Sequence, residues 1–160
     1  MTEPPGTGLS RTGLSGTGSP GTEPNVGRAA GPGTAAFKPD GYTSVAPYLI
    51  VADAEATLSF LERALGARRR RIFEREDGSV MHAEVLVDDT VVMLGEMPES
   101  QPAHVHVYVA DVDAAFARAL AAGGTSAQPP AEKGDGDRRG GVVDPNGITW
   151  WLSTQLAPDA

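Results

Sequence analysis

The segment Val51-Ala52-Asp53-Ala54-Glu55-Ala56 returns as Val109-Ala110-Asp111-Val112-Asp113-Ala114, an offset of 58 residues. The same offset pairs Leu58 with Phe116, Gly66 with Gly124 and Leu94 with Leu152. Self-similarity at a fixed period means one supersecondary unit written twice, and it restricts the fold more than any other feature of this chain. Each copy opens on an apolar, alternating run of strand length, Ser44 to Val51 and His104 to Val109. Asp53 or Asp111 then offers an N-cap side chain, with an acid two residues later in the first turn. Leu58, Leu61 and Leu65, or Val112, Phe116 and Leu120, follow at helical spacing, and Gly66 or Gly123-Gly124 supplies the stop. Three strand candidates complete the first copy, near 68–75, 79–87 and 90–95, separated by Asp77-Gly78 and Asp88-Asp89. The second copy has strands near 125–131, 139–143 and 148–154, the last set up by the turn Asp144-Pro145-Asn146-Gly147. The pattern predicts an α+β domain of two tandem βαβββ modules, about 44–97 and 103–154, joined by Met97–Pro102. Two four-stranded sheets result, each with a helix on its convex face. The concave faces then form one curved, cup-shaped mixed sheet.

Composition separates this domain from its flanks. Within residues 1–40, 24 positions are Gly, Pro, Ser or Thr, too few apolar side chains to offset the entropy of ordering. We therefore expect a disordered tail over 1–40, the domain over 41–155, and a short tail over 156–160. The first stretch has no apolar signal-peptide region, and no apolar run reaches membrane-spanning length, so the expectation is a cytoplasmic protein with no membrane partner. The absence of cysteine excludes disulfides, thiolate nucleophiles and Cys-ligated zinc. A net charge of −8 argues against a nucleic-acid partner, which needs a clustered basic surface. The run Arg68-Arg69-Arg70-Arg71, followed by Glu74 and Glu76, reads as a solvated sheet face with cross-strand ion pairs.

Several strings are familiar in combination. Gly41-Tyr42-Thr43-Ser44-Val45-Ala46-Pro47-Tyr48-Leu49-Ile50-Val51, Val80-Met81-His82-Ala83-Glu84, Gly136-Asp137-Arg138 and Asp144-Pro145-Asn146-Gly147 before a tryptophan strand resemble PhnB-like members of the vicinal oxygen chelate superfamily. The resemblance covers nearly all of 41–155. It implies the glyoxalase/bleomycin-resistance fold, but not a reaction, because that superfamily holds isomerases, dioxygenases, antibiotic-modifying thiol transferases and drug-sequestering proteins. Its metal-using members take four ligands from the first and last strands of each module. Carried through the repeat, those positions are Ala46, His104, Met93 and Trp151. Only His104 suits a hard divalent ion, so no metal cofactor is expected.

Period-two alternation then sets what faces the cup. Tyr48 and Ile50 share a face with Ala46, His106 and Tyr108 with His104, and Thr149 with Trp151. The ligand-binding lining is read as Tyr48, Met93, His104, His106, Tyr108 and Trp151. It is an aromatic cage with hydrogen-bonding edges, suited to a flat or partly apolar small organic ligand. The acidic balance also favours a cationic ligand. The leading expectation is a metal-independent homodimer that sequesters a ligand in the bleomycin-resistance manner, with no catalytic residue assigned. The alternative is a divalent-metal-dependent lyase, isomerase or dioxygenase. It would use His104 with His106, His82 and Glu84 as a displaced site, or His82 and Glu84 as an acid–base pair. A third reading is a structural or regulatory dimer without ligand. Arg138 and Arg139, in the loop Lys133–Gly141, suit either an anionic ligand group or ion pairs with Asp135 or Asp137.

Overall fold

The duplication read from the sequence reappears as two sheets of identical strand order. The computed structural model describes residues 37–156, which comprise β1 (Tyr48–Val51), α1 (Ala54–Leu65), β2 (Arg68–Glu74), β3 (Val80–Val87), β4 (Thr90–Glu96), β5 (His104–Tyr108), α2 (Val112–Ala121), β6 (Thr125–Glu132), β7 (Asp137–Val143) and β8 (Thr149–Gln155). The sheets run β1-β4-β3-β2 and β5-β8-β7-β6. The outer pairs β1·β4 and β5·β8 are parallel, and all others antiparallel. The tail expected over 1–40 lies, for residues 1–36, outside the described residues, as do residues 157–160.

The repeat holds at the level of ladder rungs. Tyr48 pairs with Met93 and His106 with Trp151, each partner displaced by the same offset. On the next strand the equivalence slips by one residue: Met93 faces Glu84, whereas Trp151 faces Gly141. The expected start of β1 at Ser44 is corrected to Tyr48. Pro47 has no N–H to give the ladder, and its carbonyl instead accepts Met93 N–H at 2.9 Å. The residues before it turn across the sheet and deliver Tyr42 to Glu84.

Both helices start as their caps dictate. Asp53 Oδ1 accepts Ala56 N–H, and Asp111 Oδ1 accepts Ala114 N–H, each at 2.9 Å. Gly66 ends α1 in the left-handed region at φ 67°, which a side chain rarely tolerates. In the second copy Gly123 takes that role, at φ 100°. The helices pack on each other and close each other's ends. Arg63 donates to Ala122 O at 2.9 Å and Arg118 to Ala64 O at 3.1 Å, both supplying positive charge to carbonyls at a helix C-terminus.

One continuous core joins both modules, with Leu58, Phe60 and Leu61 from α1 and Val142, Trp150 and Leu152 from the second sheet. Leu120, expected on the buried face of α2, is largely exposed, because that face follows Val112, Ala115 and Ala119. Asp144 is the junction. It accepts N–H groups of Asn146 and Ile148 at 2.9 and 3.0 Å, the Trp150 indole at 3.2 Å and the Thr57 hydroxyl of α1 at 3.3 Å. Burial pushes its carboxyl pKa up while those donors pull it down.

The arginine run is exposed as expected, but most of its pairing is not cross-strand. Arg69 reaches α1, at 2.6 Å from Glu55 and 2.9 Å from Glu62. Arg70 donates to Gly41 O and lies over the Tyr42 ring, while Arg71 stands 3.9 Å from Glu84 on β3. The helix-facing residues Ala83, Val85 and Val87 of β3 are buried. The opposite face of each sheet is thus turned away from the core, and it carries the polar and aromatic groups.

Candidate functional site

Two outer sheet faces result, and the six residues read as a cage divide between them. On the second sheet, His104, His106 and Tyr108 of β5 share a face with Thr149, Trp151 and Ser153 of β8 and with Arg139 and Gly141 of β7. On the first sheet, Tyr48 and Met93 share a face with Glu84. The structure brings His104 to Trp151 and His106 to Tyr108. No hydrogen bond or ring contact joins Tyr48 or Met93 to these four among the described residues.

The second-sheet face is organised around an indole. A Cβ at Gly141 would sit 2.7 Å from Trp151 Cζ3 and 2.9 Å from Cε3, so only glycine lets the ring lie against the strand. Trp151 Nε1–H donates to His104 Nδ1 at 3.1 Å, and the two rings stack at 6.3 Å with 13° between planes. His106 and Tyr108 are 4.9 Å apart. Tyr108 donates to Asp137 Oδ2 at 3.1 Å, and Asp137 lies 3.3 Å from Arg139. Arg139 also meets Asp135 at 2.9 Å and donates through Nε to Ser153 Oγ at 3.1 Å. Hydrogen bonds to Asp135 and Asp137 raise the Arg139 pKa, and those from Asp137 N–H and Arg139 lower that of Asp135. Arg139 is therefore a fixed, charge-compensated donor fork. A cavity of about 340 Å³ opens here, lined by His106, Gln128, Lys133, Arg139 and Trp151.

Sequence reasoning weighed Arg139 as an ion-pair residue or ligand contact, and it missed Gln128 and Lys133. The Gly140-Gly141 pair inside a strand was the available signal for a closely laid side chain. Arg138, read with Arg139 as either a contact for an anionic ligand group or an ion-pair partner of Asp135 or Asp137, reaches Asp113 on α2 instead, at 2.7 Å.

The first-sheet face differs. Glu84 is buried, its Oε2 accepting the Tyr42 hydroxyl and its Oε1 lying 3.2 Å from His82 Nε2. Burial pulls its carboxyl pKa up, but hydrogen bonds from Tyr42 and His82 and the charge of Arg71 outweigh this and leave it below the ordinary value. The same bond holds the Tyr42 hydroxyl above its usual pKa. Tyr48 stacks on His82 at 5.7 Å, and a Cβ at Gly95 would meet the Tyr48 hydroxyl at 2.8 Å.

The four ligand positions carried over from the resemblance do not fit a hard divalent ion. Ala46, Met93 and Trp151 bring no suitable donor, and His104 Nδ1 already accepts the indole N–H. His82 and Glu84 lie on one sheet and His104 and His106 on the other. No cluster of three or more His, Cys, Asp or Glu able to hold a metal forms among the described residues.

Residues 40–152 match the model of the Glyoxalase/Bleomycin resistance protein/Dioxygenase superfamily. An uncharacterized protein of Mycobacterium tuberculosis is 32% identical over 123 residues, covering 68% of this chain and 72% of that protein. Among solved structures, TioX from Micromonospora sp. ML1 aligns with a TM-score of 0.62 at 27% identity, covering 71% of this chain and 99% of TioX. The fosfomycin resistance protein FosX from Listeria monocytogenes shares the fold, with a TM-score of 0.58 at 18% identity over 69% of this chain and 91% of that one. The chain belongs to the glyoxalase/bleomycin resistance protein/dioxygenase superfamily.

Proposed function

We propose that this protein binds a small, flat, partly apolar organic molecule without a metal, as a PhnB-like, cytoplasmic member with a sequestering, bleomycin-resistance-type role. The observation that carries the reading is the Trp151 indole, laid against Gly141 beside a cavity of about 340 Å³. A ring held this way gives a stacking surface, and His106, Gln128, Lys133 and Arg139 give hydrogen-bonding edges around it. The donor set at the superfamily's ligand positions supports metal independence, since three of the four positions offer nothing a hard ion takes.

The same reading makes the protein a homodimer. Tyr48 and Tyr108 are 51% and 64% exposed on different sheets of one chain. Sedimentation equilibrium tests this: a dimer is expected, and a monomer at all accessible concentrations contradicts it.

Binding is tested with 2-naphthoate, a flat aromatic carrying an acceptor group. Calorimetric titration of the wild type should saturate, and Trp151→Ala should bind about tenfold more weakly, the loss of ~1.4 kcal/mol of stacking. Unchanged affinity in Trp151→Ala removes this face as the site.

A further inference from the structure

The first-sheet face holds a group with no counterpart on the second. The Glu84 side chain is 7% exposed, yet its carboxyl is held in the ionised form by the groups around it. An ionised carboxylate only accepts, so in the neutral His82 ring the proton sits on Nε2, facing Glu84 Oε1 at 3.2 Å. The lone pair is then on Nδ1. That nitrogen has no hydrogen-bond partner among the described residues, and no buried side-chain nitrogen or oxygen among them is left unpartnered. Nδ1 is therefore not fully buried, on a side chain that is 25% exposed.

The ring is also flanked. Tyr48 stacks on it at 5.7 Å and 28°, and Phe73 lies at 6.2 Å and 33°. Both flanking rings are about half exposed, at 51% and 48%. An imidazole oriented by a carboxylate, its second nitrogen free and an open aromatic wall on each side, has the parts of a general-base site.

We propose that His82, positioned by Glu84, is a general base that takes the proton of a weakly acidic hydroxyl on a flat organic molecule, an enol or an activated phenol, seated against Tyr48 and Phe73. The step moves one proton and no electrons between molecules. The ligand O–H bond breaks with its electron pair kept on oxygen, and an N–H bond forms at His82 Nδ1. Glu84, 3.2 Å from His82 Nε2, stabilises the resulting imidazolium. Among the described residues, the ionisable or charged groups that bond to, stack on or pair with the ring or its carboxylate are Glu84 from β3, Tyr48 from β1, Arg71 from β2 and Tyr42 from the segment before β1.

The test uses 4-nitrophenol and the full chain at mildly acidic pH, where the free phenol is protonated and colourless. Wild type should raise the yellow phenolate band saturably. His82→Phe, which keeps an aromatic ring in the stack, should abolish that band, and His82→Gln should do the same if the phenylalanine variant does not fold. Glu84→Gln should lower it about tenfold, the effect of removing one nearby opposite charge. A structural role for Glu84 alone would not move this spectral readout in a folded variant. No band in the wild type, or an undiminished band in a folded His82 variant, overturns the assignment. Binding of 2-naphthoate by the second sheet is measured separately and stands or falls on its own.

Discussion

The outer faces of the two sheets come from one repeated module but present opposite chemistry. Tyr48 and His106 occupy equivalent rungs, as do Met93 and Trp151. Beside Met93 stands Glu84, whereas beside Trp151 stands Gly141, because the third strand of the second module is shifted by one residue. Two residues back on the same face, where the first module has His82, the second has Arg139, bonded to Ser153. A carboxylate beside Met93 gives a polar, charged face. A missing side chain beside Trp151 gives a flat apolar platform. A duplicated scaffold thus keeps its core and caps while the outward residues, free of packing demands, diverge in chemistry.

The comparison is broken most severely at the junction both faces rest on. Asp144→Ala leaves the buried Trp150 indole, the Thr57 hydroxyl and two backbone N–H groups without their acceptor. We expect a loss of about 3 kcal/mol or more, read by urea unfolding as one cooperative transition. Two separate transitions would mean that the modules do not share a core.

The next largest effect sharpens the difference at the equivalent rung. Gly141→Ala puts a Cβ 2.7 Å from the Trp151 ring, and overpacking of this kind costs about 1–3 kcal/mol. The melting temperature should fall and 2-naphthoate binding weaken. Normal binding would show that the indole need not lie against the strand.

On the other face, Glu84→Gln tests the carboxylate through pH. The folded-state pKa of Glu84 is lowered, so its stabilisation is fully present above the unfolded value of about 4.3 and disappears as pH falls through the folded value. Wild type should exceed the variant by about 2 kcal/mol at neutral pH, and the gap should close in acid. A gap that widens in acid contradicts the sign.

The smallest effect is expected at Arg69. Its pairs with Glu55 and Glu62 sit at the surface, and Arg69→Ala should cost only about 0.5 kcal/mol, with the difference suppressed by salt. The Glu55 carboxyl, held down to about 2 chiefly by its hydrogen bonds from Arg69, should titrate closer to its ordinary value in the variant, as NMR would show.

Most of the fold was legible because its signals are local and repeated. The caps Asp53 and Asp111, the stop at Gly66 and the turn at Asp144-Pro145 each act within a few residues. The 58-residue offset then fixed which strands correspond. The candidate site was legible only in part. Alternation placed His104, His106, Tyr108 and Trp151 together on one face, since a strand's period needs no tertiary information. It did not separate Tyr48 and Met93 onto the other sheet, because that depends on how the helices pack. Nor did it show Tyr42 reaching Glu84, a contact between residues 42 positions apart that follows from a strand starting only after Pro47.

The proposed ligand site is the Trp151 face. The most direct test is a titration of 15N-labelled protein with 2-naphthoate, watching the two indole N–H resonances. The Trp151 indole and the Arg139 and His106 amides should move saturably while the buried Trp150 indole stays in place. Binding that leaves the Trp151 indole unmoved, or shifts confined to the Glu84 face, would contradict it.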